Sequence, residues 1–91
     1  MALRIKLQVS GNVQGVGFRY YTLRMARRLC LTGYVKNKPD GSVEVVAEGD
    51  RGKLLNLLED VRIGPPSSKV ENLVIKWEDP KSEFADFKIL R

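Results

Sequence analysis

Hydrophobic and polar residues alternate strictly at the start of the chain. The apolar positions there are Leu3, Ile5, Leu7 and Val9. A period of two predicts a β-strand with one buried face and one face in water. Three glycines within seven residues then interrupt the pattern, and apolar residues at helical spacing follow from Phe18 to about Cys30. This stretch therefore predicts a strand, a glycine-rich loop and an amphipathic helix.

The rest of the chain continues with strand and helix patterns. Strand patterns cover residues 32–36, 42–48, 69–77 and 84–90. A second helical stripe, between the third and fourth strands, consists of Leu54, Leu57, Leu58 and Val61. Asp50 is a suitable N-cap for this helix, and Gly64 followed by two prolines is typical of its end.

This order of elements predicts an α+β fold of the ferredoxin-like kind. It is a βαββαβ sandwich in which two helices cover one face of an antiparallel sheet, with a short C-terminal strand in addition. The length favours a single domain over residues 1–91. In this topology the third strand lies between the first and the second, which are then parallel. Their carboxyl ends meet at one edge of the sheet, so the glycine loop and Asn37 should lie together.

Two residues with distinctive chemistry are expected to be structural. Trp77 shares a strand face with Leu73 and Ile75, which predicts burial in the core. Cys30 is expected to be a small core residue, because a helix C-terminus does not favour a thiolate and the chain has no histidine to activate it.

Composition narrows the class of partner. Sixteen Lys and Arg residues against eleven Asp and Glu residues give a net charge of +5, which favours an anionic partner. The absence of histidine removes the usual base near neutral pH and the commonest metal ligand, so we expect no metal or other cofactor. No apolar run is long enough to span a membrane, and one cysteine allows no internal disulfide. We expect a cytoplasmic monomer without a membrane partner.

The segment Gly11–Arg19 is the strongest candidate for chemistry. Glycines allow backbone N–H groups to turn inward, and the helix that begins at Phe18 adds the positive end of its dipole. Arg19 contributes a permanent charge whose planar fork suits phosphate oxygens. Since a helix start disfavours a cationic side chain, a bound anion explains this arginine better than simple solvation does. The segment predicts a site for a phosphate-sized anion.

Asn37 is a second candidate, and its local chemistry leaves two interpretations open. An asparagine shortly before Pro39-Asp40-Gly41 is common where a hairpin turn starts. Its predicted position opposite the glycine loop favours a role in orienting a water molecule, since an amide is both donor and acceptor. The arginines of the first helix are expected to form a solvated face, and they are Arg24, Arg27 and Arg28.

Two separate segments resemble signatures of the acylphosphatase family. The first is Gly11–Arg19, in which Val-Gln-Gly-Val precedes an aromatic residue and an arginine. The second is Gly33–Asn37, with Gly41–Val43 and Gly49 downstream. The likeness spans nearly the whole chain, and two signatures at matching separation are highly specific together. Many relatives carry glycine at the position of Cys30, where it would serve a left-handed helix cap.

The resemblance implies an enzyme that hydrolyses small acyl phosphates to a carboxylate and inorganic phosphate, without metal, cofactor or covalent intermediate. It maps the family's phosphate-binding, catalytic arginine onto Arg19 and its water-orienting, catalytic asparagine onto Asn37. The rest of the phosphate cradle maps onto Gln14, Gly15, Val16, Gly17 and Phe18.

Two other classes of function remain alternatives. An RNA-binding module would share the topology and the basic charge, but it needs aromatic residues on the middle strands, and residues 3–9 and 42–48 contain none. A non-catalytic anion-binding domain would keep the glycine cradle without turnover. We expect the enzyme, and we expect no nucleic acid partner.

Overall fold

The patterns described above form two helices and a five-stranded sheet in residues 2–91, the part of the chain that the computed structural model describes. The elements, in chain order, are β1 (Ala2–Asn12), α1 (Phe18–Arg28), β2 (Thr32–Asn37), β3 (Val43–Asp50), α2 (Arg51–Ile63), β4 (Lys69–Glu78) and β5 (Phe87–Leu90).

The strands lie in the order β4-β1-β3-β2-β5. β3 pairs antiparallel with both β1 and β2, which confirms the predicted ferredoxin-like arrangement. β4 is antiparallel to β1, whereas β5 is parallel to β2, so the sheet is mixed. β5 is shorter than predicted, because residues 84–86 still belong to the connection from β4. The parallel pairing brings the carboxyl end of β5 to the edge where β1 and β2 also end.

The core fills the space between the sheet and the helices. Alternate side chains of the central strands are fully buried there, and they are Ile5, Leu7, Val9, Val43, Val45 and Ala47. Both predicted helix stripes contribute, through Phe18, Thr22, Ala26, Leu54, Leu57 and Val61. Asp50 caps α2 as predicted, since its side chain accepts a 3.1 Å hydrogen bond from the N–H of Gly52.

The first helix ends earlier than predicted, and Cys30 lies outside it. Helical residues stop at Arg28, and Cys30 adopts the left-handed conformation with φ of 57°. The N–H of Leu31 donates to the carbonyl of Ala26, and that of Cys30 donates to the carbonyl of Arg27, both at 3.0 Å. This is a Schellman ending. The expectation that Cys30 is a core residue is wrong: it is exposed in the turn, and Leu31 occupies the buried position after it.

Trp77 is also outside the core, contrary to the prediction. It lies on the same strand face as the core residues, but β4 is an edge strand that the helices cover only in part. Leu73 packs against the core, whereas Ile75 and Trp77 are each 39% exposed. The guanidinium carbon of Arg51 lies 5.9 Å from the centre of the Trp77 ring.

The connection from β4 to β5, residues 79–86, is here called the strap. It lies against the sheet face turned away from the helices. The N–H groups of Lys81 and Ser82 donate to the Glu48 carboxylate of β3, at 2.8 and 3.0 Å. Arg4 of β1 donates to the same carboxylate at 3.0 Å. The strap is therefore attached to the central strands just before β5 begins.

Candidate functional site

A pocket of about 200 Å³ lies at the edge of the sheet where β1, β2 and β5 end. The residues that line it are Val13, Gly15, Gly17, Phe18, Arg19, Tyr20, Asn37, Ile89 and Arg91. Two of these residues are arginines and none is acidic, so the pocket favours an anion. Its volume is below the roughly 300–1,000 Å³ of sites for drug-sized ligands, which suits a small ligand.

The loop between β1 and α1 has the backbone geometry of an anion cradle. Gly15 and Gly17 both have left-handed φ values, 73° and 79°. A Cβ atom at either glycine would meet no other atom within 4 Å, so the backbone angle, and not the available space, requires glycine here. Left-handed residues that alternate with ordinary ones turn successive N–H groups toward a common point. The loop thus provides donors on one side of the pocket.

The start of α1 adds to this donor set. Gly17 is the N-cap and offers no side-chain acceptor, and the first turn of the helix contains no acidic residue. The N–H groups of a first turn have no partner within the helix, and the positive end of the helix dipole lies beside them. Arg19 lies in the same turn, lines the pocket and forms no ion pair with any of residues 2–91. A small anion would satisfy all of these groups together.

Asn37 is the last residue of β2, and it lines the pocket as predicted. Its Oδ1 is buried and accepts no hydrogen bond from the described residues. An unpaired buried acceptor costs about 1–3 kcal/mol, so Asn37 is satisfied when a group in the pocket donates to it. A water molecule or a protonated ligand oxygen can be that donor.

Two residues of the predicted cradle do not line the pocket. The side-chain amide of Gln14 donates instead to the carbonyl oxygens of Lys38 and Ser42, at 2.8 and 2.9 Å. The side chain of Val16 packs against the hydrophobic core. Gln14 and Val16 can therefore contribute to anion binding through the backbone of the loop, while their side chains shape it.

Four residues of the pocket are not among the site residues predicted from the sequence, and they are Val13, Tyr20, Ile89 and Arg91. Tyr20 directly follows Arg19 in the first turn of α1, and this position in the sequence could have indicated that it lines the same site. Phe87, Ile89 and Arg91 alternate at strand spacing, which places them on one side of β5. Only the parallel pairing with β2 shows that this side reaches the pocket.

The fold and the pocket define a ferredoxin-like α+β protein with a glycine-rich loop, which has the geometry of an anion cradle, at the start of its first helix. The family model Acylphosphatase matches residues 5–89. The acylphosphatase of Salinibacter ruber is 44% identical over 88 residues, covering 97% of this chain and 93% of the relative. That of Pyrobaculum aerophilum is 46% identical over 88 residues, covering 96% and 93%. The chain belongs to the acylphosphatase family.

Solved structures agree with this assignment. The crystal structure of acylphosphatase from Bacillus subtilis superposes with a TM-score of 0.94 at 38% identity, covering 98% of this chain and 99% of that chain. The resemblance seen in the sequence, and with it an enzyme of the acylphosphatase class, is confirmed. The RNA-binding alternative is not favoured, since the face of β3 turned away from the helices carries Glu44 and Glu48 and no aromatic residue.

Two further findings concern membranes and metals. Neither helix of residues 2–91 has the length and apolar character needed to cross a bilayer. Within the same residues, no group of three or more His, Cys, Asp or Glu side chains is placed to hold a metal ion.

Proposed function

We propose that this chain hydrolyses the carboxyl–phosphate bond of small acyl phosphates, giving a carboxylate and inorganic phosphate. One observation carries the proposal. Arg19 and Asn37 line the same pocket beside the glycine loop, and no lining side chain is acidic. Within residues 2–91, Arg19 forms no ion pair and the Oδ1 of Asn37 has no hydrogen-bond partner. Family membership supports the same reaction.

The phosphoryl group binds in the cradle. The N–H groups of residues 14–18 and of the first turn of α1 donate to its oxygens, and the Arg19 fork adds charge-assisted hydrogen bonds. These donors are held in place before the substrate arrives, so they stabilise charge in the transition state without reorganisation. Such positioning is the main source of catalysis in phosphoryl transfer.

Asn37 orients the attacking water. The unpaired Oδ1 accepts a hydrogen bond from the water and aims its oxygen at the phosphorus atom, in line with the bond that breaks. The new bond joins the water oxygen to phosphorus, while the bond between phosphorus and the acyl oxygen breaks and its electron pair leaves with the carboxylate. The proton released by the water passes to a phosphoryl oxygen. A carboxylate is stable without protonation, so the reaction needs no histidine as general acid.

We propose that residues 1–91 act as one domain, as a monomer in the cytoplasm, on small-molecule substrates and without a metal or cofactor. The compact arrangement of all five strands around one core supports a single folding unit.

Phosphate release from acetyl phosphate tests this function. The purified protein is assayed with and without a strong chelator, beside the Arg19→Ala variant as the inactive control. We expect turnover that the chelator does not change and that the variant lacks. Absence of phosphate release by the folded wild-type protein would contradict the proposed reaction, and activity restored by added metal after chelation would contradict the metal-free mechanism.

A further inference from the structure

Arg91 reaches the pocket from the strand on the far side of Asn37. β5 runs parallel to β2 in the register Val35–Ile89 and Lys36–Leu90. One further step in this register places Arg91 level with Asn37. In the sheet order, β2 lies between β1 and β5, so the glycine loop and Arg91 flank Asn37. Arg91 and Ile89 both line the pocket, as the alternation along an extended chain requires.

The charge of Arg91 is not used in an ion pair with any other residue that the structure describes. Its side chain is exposed and forms no ion pair with the described residues. Arg4, Lys6 and Lys36 on the open sheet face differ in this respect, because each lies within ion-pair distance of a glutamate. Arg91 is thus a second cation beside Arg19, from a different element, in a pocket with no acidic lining residue.

We propose that Arg91 is a second phosphate-binding residue, which acts with Arg19 on the phosphoryl group. This inference rests on the proposed function. In a pocket of about 200 Å³, a phosphoryl group held by the loop lies within reach of both guanidinium groups. The guanidinium fork of Arg91 can donate to a phosphoryl oxygen on the side that the loop amides leave open. The anion is then bound from both flanks of Asn37.

The test compares Arg91→Gln with Lys88→Gln. Lys88 lies on β5, three residues before Arg91. It pairs in register with Tyr34 and does not line the pocket, so its substitution removes the same charge without the contact. Competitive inhibition by inorganic phosphate and the steady-state constants for acetyl phosphate are measured for both. We expect Arg91→Gln to weaken phosphate inhibition by roughly 10- to 100-fold, the effect of losing a hydrogen bond to a charged group. Lys88→Gln should change it by less than about 3-fold, a long-range effect that salt screens.

Arg91→Lys gives a second readout. It keeps the charge and loses the fork, so phosphate inhibition should be restored only in part. If instead phosphate inhibition is unchanged in Arg91→Gln while KM rises for acyl phosphates with a charged acyl group, Arg91 contacts the acyl part and the inference is wrong. It is equally wrong if Arg91→Gln and Lys88→Gln behave alike. Arg19→Ala distinguishes a failure of this inference from a failure of the proposed function. If phosphate inhibition survives that change as well, the proposed anion site itself is contradicted.

Discussion

The side-chain amide of Gln14 donates a 2.9 Å hydrogen bond to the backbone carbonyl of Ser42. The same nitrogen donates to the carbonyl of Lys38 at 2.8 Å. Both carbonyls belong to the turn that follows Asn37. One side chain therefore attaches the glycine loop to the hairpin turn that follows Asn37, the residue proposed to orient the water. This relationship makes Gln14 a positioning residue, although its side chain does not line the pocket.

Gln14→Ala should lower kcat for acetyl phosphate by about 10- to 100-fold, because the loop is no longer held at a fixed distance from Asn37 and a small misplacement is costly. The free energy of unfolding should fall by about 1–3 kcal/mol from the loss of two partly buried hydrogen bonds to backbone carbonyls. Steady-state kinetics and urea unfolding check both effects. Gln8→Ala, on β1 and away from the loop, is the control. An unchanged kcat in Gln14→Ala would show that the loop holds its position without this tether.

Arg19→Ala should reduce kcat/KM by about 100-fold or more, on the order of 3 kcal/mol of transition-state stabilisation. Inhibition by inorganic phosphate should weaken in parallel, since the same contact binds substrate and product. Arg19→Lys should also fail, because a point charge does not reproduce the fork. Arg24→Ala, on the exposed face of α1, is the matched control. Near-normal kinetics in a folded Arg19→Ala protein would contradict the site assignment.

Asn37→Ala should lower kcat by about 100-fold while inorganic phosphate inhibits almost as well as before. The reason is that Asn37 is assigned to the nucleophile, whereas the loop and Arg19 hold the phosphate. Stability should change by about 1 kcal/mol or less, since the substitution removes an acceptor that has no partner in residues 2–91. Turnover and phosphate inhibition are measured on one preparation. A proportional loss of both would place Asn37 in the anion cradle, and no loss would leave it a turn residue.

Cys30→Gly should raise the free energy of unfolding by about 1 kcal/mol, because a left-handed conformation costs a residue with a Cβ atom about 1–2 kcal/mol and glycine very little. Cys30 has φ of 57° in the Schellman ending of α1. Cys30→Ala is the control, because it removes the thiol, keeps the Cβ atom and should bring no such gain. Urea unfolding of the three proteins under reducing conditions provides the comparison. Equal gains in both variants would trace the effect to the thiol.

Glu48 should make stability depend on pH in the acid range. Burial acts to raise its pKa, but hydrogen bonds from the N–H groups of Lys81 and Ser82 and from Arg4 favour the carboxylate, and the pKa of Glu48 is lowered as a result. Because the folded-state pKa lies below the unfolded one of about 4.3, this stabilisation is complete above that pH and is lost as the pH falls through the folded-state value.

Glu48→Gln should therefore cost about 2–4 kcal/mol at pH 7, where it leaves Arg4 without its buried partner, and much less near pH 3. Glu83→Gln is the control. Glu83 also lies 2.9 Å from Arg4, but its side chain is 52% exposed, so its loss should cost about 1 kcal/mol or less. Urea unfolding at the two pH values measures the difference. An equal loss of unfolding free energy at both pH values would show that Glu48→Gln acts through packing and not through the lost charge.

Local sequence patterns were sufficient to predict much of the secondary structure of this protein. Several features can be recognised within a few residues of sequence, because they depend on backbone angles and on neighbours at fixed spacing. They are the alternation of β1, the apolar stripes of α1 and α2, the Asp50 cap and the glycines before Phe18. Arg19 could be identified for the same reason: its place in a helix start is a local property. Asn37 needed one further step, since its pairing with the loop follows from the order of strands.

Other features depended on contacts between distant parts of the chain, which local spacing does not encode. Trp77 has the periodicity of a core residue, and only the position of β4 at the edge of the sheet exposes it. Cys30 continues a helical pattern, yet the helix ends two residues before it because Leu31 must turn into the core. Arg91 enters the pocket through the parallel pairing of β5 with β2, and the strap that leads to β5 is attached to Glu48 and Arg4. The sequence by itself thus determined the elements, the glycine-rich loop before α1 and the position of Arg19 in the first turn of that helix. The tertiary structure decided which side chains share the pocket, because that depends on which strands become neighbours and which positions the helices leave uncovered.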